Sequence, residues 1–315
     1  MNSEASPMDS DSNDYVYQFT TSPVGWYAAC GSGLYRSTDK GASWKSAYVS
    51  LEFQGPLLTL CVAAPTGPDE HPYVFAGLNG GLLRSTDGGE TWESALQPSP
   101  SPIFSSLAPS PDFAQDGTLF AGTLGCGVLI YKSHGSQLSM WNFGLLDHDI
   151  LCLGVSPNFI EDHTIFAGAQ SGLFLSTNSG RSWTDIDLPV GYESVLCLVI
   201  SPDFAKDGLL YAGTESKGIL CSSDYGKEWE LLGEGVLTKP INSILLGPQF
   251  PKTPDLLIVH GDDPLFSSDG GHSWEPWRND SLGSLDVSAI LAQEGFGDGV
   301  LAAVGLFDGG IRLTS

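Results

Sequence analysis

S-T-D-G-G-E-T-W, residues 85 to 92, is the stretch on which the fold turns. Its residue types suit a tight hairpin. The carboxylate of Asp87 can accept backbone N–H groups within its own turn. Gly89 permits positive φ, and Trp92 supplies apolar area to cover the turn's inner side. The apolar G-L-L at 81–83 precedes it, so the whole reads as strand, turn, strand.

Outward from this copy, four others stand in register: S-T-D-K-G-A-S-W from Ser37, S-T-N-S-G-R-S-W from Ser176, S-S-D-Y-G-K-E-W from Ser222 and S-S-D-G-G-H-S-W from Ser267. The turn acceptors are therefore Asp39, Asp87, Asn178, Asp224 and Asp269, and the covering rings are Trp44, Trp92, Trp183, Trp229 and Trp274. K-S-H-G-S-Q-L-S-M-W, from Lys132, departs from the pattern and has no Asp in place. A turn-then-strand register recurs at Gly33, Gly81, Gly127, Gly172, Gly218, Pro264 and Gly310, with spacings of 48, 46, 45, 46, 46 and 46. A second marker, Pro after a small residue, falls at Pro23, Pro65, Pro111, Pro157, Pro202 and Pro248.

Each unit reads as four short strands, the first of them apolar throughout, as in Leu58 to Ala63, Leu151 to Val155 and Val195 to Ile200. Four strands in 40 to 50 residues is a propeller blade, so the expected fold is all-β: a single seven-bladed β-propeller over 15–315, after an acidic tail over 1–14. The last unit offers strands near Val287 to Ala292, Val300 to Val304 and Ile311 to Thr314, and no fourth. Tyr15 to Thr20 is already the inner strand of blade one, and Met1 to Asn13 is poor in strand formers. A three-stranded last blade, closed mainly by side-chain packing on blade one, follows.

Composition limits the partners. Asp and Glu number 37 against 13 Lys and Arg, a formal charge of -24 in 315 residues. Nucleic acid and anionic membrane surfaces need a basic face, so neither is expected. Charged residues are only 16 % of the chain, so it is not a solvated polyelectrolyte. No apolar run of membrane-spanning length and no signal-peptide pattern are present in the sequence given, which places the expectation in the cytoplasm. Six scattered Cys read as buried thiols of a reducing compartment.

The five turn motifs resemble the Asp-box, or BNR, repeat of a family of propellers, over nearly the whole chain. That resemblance implies a structural box, with no cofactor and no metal. The turns S-P-D-F-A-Q-D-G from Ser110 and S-P-D-F-A-K-D-G from Ser201 pair Asp112 with Asp116 and Asp203 with Asp207, but lack the alternating ligands of a calcium loop. A Phe plug, at Phe113, Phe159 and Phe204, is the expected use. Sialidases of the family hold a substrate carboxylate with three Arg from central strands, and no Arg here starts an inner strand. Xyloglucanase-type relatives work between two propellers. Sortilin-type and photosystem II assembly propellers bind proteins.

Strand alternation puts the boxes and S-P turns on one face. The other face, where propeller sites usually lie, gathers His148, Asp149, Tyr192, Glu193, Glu215, Lys239, Asp262 and Asp286 around the channel mouth. The expected function is a non-catalytic protein-binding or assembly module. The alternative is a carbohydrate-active propeller in which Asp149, Glu193 and Asp286 supply the carboxylates of glycoside hydrolysis.

Overall fold

The computed structural model describes residues 14–51, 55–95, 99–132, 138–277, 286–297, 299–307 and 309–314. Seven antiparallel sheets follow one another along the chain. Six have four strands in simple meander order and the last has three. In blade four these are Ile150–Val155, Ile165–Ala169, Gly172–Ser176 and Thr184–Ile186. Hydrophobic clusters form between successive sheets, as where Cys152, Phe166 and Leu173 meet Phe204, Leu210 and Ala212. A blade's two apolar faces are thus covered by its neighbours, which no single four-stranded sheet can do alone.

The last blade comprises Val287–Leu291, Ala302–Leu306 and Ile311–Thr314. Its second strand begins two residues later than the sequence reading placed it. Val16, Trp26 and Ala28 of blade one pack on Ala289 and Ala303 of blade seven. Polar contacts supplement this seam: the Gln293 amide donates to Thr21 Oγ1 at 2.6 Å. Asp14, assigned to the tail by sequence, is buried in the propeller. Its carboxylate takes the Ser32 N–H at 2.8 Å and the Ser32 hydroxyl. Residues 1–13 and most of the degenerate turn after Lys132 lie outside the described residues.

The boxes are built as their residue types require. The Asp87 carboxylate accepts the N–H groups of Glu90 and Thr91, at 3.0 and 2.9 Å, and the Thr91 hydroxyl at 2.6 Å. Ser85 Oγ takes the N–H of Gly89, which sits at φ +92. Trp92 reaches further than its own turn, since its indole N–H donates to the Ala47 carbonyl of the preceding blade at 2.7 Å. Trp183 does the same to the Trp141 carbonyl at 3.1 Å. Trp44 would look toward blade seven, and its buried Nε1 has no partner.

Three S-P turns close as one-turn helices, Phe113–Asp116, Phe159–Asp162 and Phe204–Asp207, each with its Phe buried. Asp116 is engaged within its turn, by Ser110 Oγ and Thr118 N, both at 2.7 Å. Among the described residues no helix is long and apolar enough to cross a membrane.

Candidate functional site

The inner strands carry a feature the sequence did not announce. In every blade one extra residue interrupts the pairing of the inner strand with the second. The seven extra residues are Tyr17, Leu60, Ser105, Leu151, Leu196, Asn242 and Ser288. A bulge re-aims its side chain, and all seven line the central channel, a cavity of about 380 Å³. The channel wall is uncharged throughout its described lining, with Gln18, Ser106 and Ser243 as its other side-chain polar groups.

In five blades the next residue of the inner strand fastens that blade to the following one. Gln18 Oε1 accepts the Val62 N–H at 3.0 Å. Cys61 donates to the Phe104 carbonyl at 3.5 Å, Cys152 to Val195 at 3.4 Å and Cys197 to Ile241 at 3.2 Å. Ser106 Oγ accepts the Leu153 N–H at 3.2 Å. The series stops at blade six, where the Ser243 hydroxyl is buried without a partner. At blade seven the position is Ala289. Burial drives the Cys197 thiol up to about 12 and raises the Cys61 and Cys152 thiols as well, so these are hydrogen-bond donors and not nucleophiles.

The residues expected at the channel mouth, none of which is among the described lining of the channel, fall into three groups. Glu193 accepts the Ser216 N–H at 2.6 Å and thereby ties the link into blade five to that blade's turn. Lys239 and Asp262 meet directly at 2.6 Å, with Asp263 at 2.9 Å from the same ammonium. Those two hydrogen bonds raise the Lys239 pKa, and Lys239 holds Asp262 below the usual carboxylate range. Glu215 gives its N–H to the Ser194 carbonyl. His148, Asp149 and Asp286 contribute backbone: the His148 carbonyl takes the N–H of Gly125 and Gly127, Asp149 that of Gln170, and Asp286 that of Phe307. Tyr192 stands 89 % exposed. No hydrogen bond or ion pair joins Asp149, Glu193 and Asp286 to one another among the described residues.

Two carboxylates were overlooked by the sequence reading. Asp147 accepts the Asp149 and Ser171 N–H groups, both at 2.9 Å. Burial works to raise its pKa, but these bonds prevail and lower it. Asp14 and Ser32 repeat the arrangement in blade one. The signal was present as an acid two or three residues before three of the inner strands, at Asp14, Asp147 and Glu193. The Lys239–Asp262 pair occupies the same register with its charges exchanged. Among the described residues no cluster of three or more His, Cys, Asp or Glu could hold a metal ion.

The chain matches the model of the BNR/Asp-box repeat over residues 83–94. No curated protein matches it in sequence. Solved structures share its fold. A structure described as YCF48 bound to D1 peptide is 16 % identical at a TM-score of 0.68, over 99 % of this chain and 95 % of that one. The GH74 xyloglucanase from Xanthomonas campestris is 16 % identical at 0.72, over 98 % of this chain and 53 % of the enzyme. The extracellular domain of a hybrid two-component system from B. thetaiotaomicron is 18 % identical at 0.72, over all of this chain and 39 % of that one. The chain therefore spans about half or less of the length of the latter two.

Proposed function

We propose that this BNR/Asp-box repeat β-propeller is a non-catalytic module that binds a protein partner. The observation that carries the reading is the use made of the polar groups at the mouth. Glu193 and Asp147 hold turns, Lys239 pairs with both Asp262 and Asp263, and the described lining of the channel is uncharged. Glycoside hydrolysis asks for two carboxyl groups facing one another across a bond, whereas the Glu193 carboxylate is engaged by a turn and no described hydrogen bond or ion pair brings Asp149 or Asp286 to it. The likeness in length and fold to a protein crystallised with a peptide adds support. The GH74 likeness covers half an enzyme and extends to the propeller frame alone.

Chemical cross-linking and affinity purification of the tagged chain, with turnover assays on sialosides and β-glucans in parallel, test this. A defined complex without glycan turnover is expected. Turnover that vanishes in Glu193→Gln and persists in Asp87→Ala would replace this reading with the glycosidase one.

A further inference from the structure

The clefts between neighbouring blades are not equivalent, and one of them differs from its counterpart at two positions in register. Between blades one and two, Arg36 stands opposite Tyr27 and its guanidinium pairs with Glu90 of the next box. Between blades three and four the same places hold Ile130, opposite Phe120, and Arg181. An ion pair spans the first cleft. In the second, Ile130 offers Arg181 no charge, and the guanidinium lies 5.6 Å over the Trp141 ring.

Phe120, Ile130 and Phe159 form the apolar floor of a cavity of about 340 Å³, with Trp141 and Ile160 at its walls. Lys132 reaches the same cavity, and among the described residues its ammonium's partner is a neutral one, Thr118 Oγ1 at 3.1 Å. Asp116 also borders it, but both its oxygens are occupied by Ser110 and Thr118. Lys132 and Arg181 thus meet no carboxylate among the described residues, in a chain with 37 acidic side chains.

Of the cavity's own walls Ile160 is more than half exposed and Trp141 39 %, and along the chain segment that carries Trp141, Met140 is more than half exposed and Phe143 and Leu146 are 80 % and 78 % exposed. Backbone contacts enforce the display. The Phe143 carbonyl takes the Trp183 N–H at 2.8 Å, and Gly144, at φ +80, lets the link approach the Trp183 carbonyl more closely than a Cβ would permit. Large apolar side chains grouped around a cavity mark an interaction surface.

We propose that this cleft docks an extended segment of a protein partner, with an apolar side chain entering the cavity and an adjacent carboxylate meeting Arg181 and Lys132. The proposal rests on the protein-binding reading above and adds to it the surface and the chemistry recognised. Floor and rim set both requirements: the floor takes a hydrocarbon or aromatic group, and the two cations take one acid. The charge of -24 elsewhere repels further acid, so the rest of the segment is neutral or basic.

Selection of phage-displayed peptides on the immobilised full chain tests this, followed by fluorescence anisotropy with a synthetic peptide from the most enriched clone. Enriched peptides are expected to set Phe, Leu, Ile or Trp beside Asp or Glu. Arg181→Ala, Ile160→Asp and amidation of the peptide carboxylate should each weaken binding by about tenfold or more, with melting unchanged. No enrichment, or peptides that bind both variants as well as the native chain, overturns the proposal. Peptides that ignore both variants but are lost on Tyr192→Ala would move the docking surface to the channel mouth and leave the protein-binding reading standing. Glycan turnover lost in Glu193→Gln would remove that reading itself.

Discussion

The thiol of Cys197 donates to the carbonyl of Ile241, 3.2 Å away in the next blade, and Gly213 is what makes room for it. A Cβ at Gly213 would lie 2.5 Å from Cys197 Sγ and 2.7 Å from Ile241 Cγ2. Gly77 and Gly168 stand in the same relation to Cys61 and Cys152. Close approach of consecutive blades therefore depends on a Gly and a small donor side by side.

Gly213→Ala overpacks this junction and should cost about 1–3 kcal/mol. Cys197→Ala in the same protein should return part of the loss, because it removes one of the two clashes. Urea midpoints of the two single variants and the double variant measure the coupling. Strict additivity would show that the Gly is not there for the thiol.

The box tryptophans separate by what lies in front of them. Trp92→Ala is expected to cost about 3–5 kcal/mol as a large-to-small change in a packed region. Trp92→Phe keeps most of the volume but deprives the Ala47 carbonyl of a donor, at about 1 kcal/mol. Trp44→Phe removes an N–H that has no partner and should cost less than Trp92→Phe. Thermal melts of the two Phe variants give the order.

Acid should loosen the boxes in a defined window. Hydrogen bonds from the Ser43 hydroxyl and N–H bring Asp39 from 3.8 down to about 2, and Ser273 does the same for Asp269. The unfolded chain binds these protons first, so the contribution is complete above 3.8 and disappears as pH falls through about 2. Melting temperature should drop across that interval. Asp269→Asn, which installs the side chain found at Asn178, should flatten the drop, and an unaltered slope would assign it to other groups.

Thiol chemistry should distinguish the cysteines. Cys61, Cys152 and Cys197 are held as thiols by burial, whereas Cys126 is half-buried. Iodoacetamide on the folded chain should label Cys126 first and the other three only with unfolding. Mass spectrometry of the peptides reads this directly.

The blade count, the boxes and the three-stranded last blade were legible because each rests on local chemistry repeated at a fixed interval. Ser85, Asp87, Gly89 and Trp92 fall in a short stretch and recur in phase. The functional surface was much less legible. Glu193 and Lys239 were correctly placed at the ends of inner strands, but their partners, Ser216 and Asp262, lie more than twenty residues away across a turn. The bulges at Tyr17, Leu60 and their equivalents leave no mark, since an extra residue in an apolar run looks like the run itself. The contrast of Ile130 with Arg36 becomes meaningful only when Arg181 and Glu90 are seen opposite them in the neighbouring blade.

The inter-blade donors and acceptors run unbroken from Gln18 to Cys197 and then cease, with Ser243 unpartnered and Ala289 mute. Five junctions are latched at the hub by this series, and the two that flank blade seven lack that latch. Such a disc behaves as a clasp and not as a wheel. Tension across it, or heat, should part it on either side of blade seven, and that blade should swing away while the other six remain an arc.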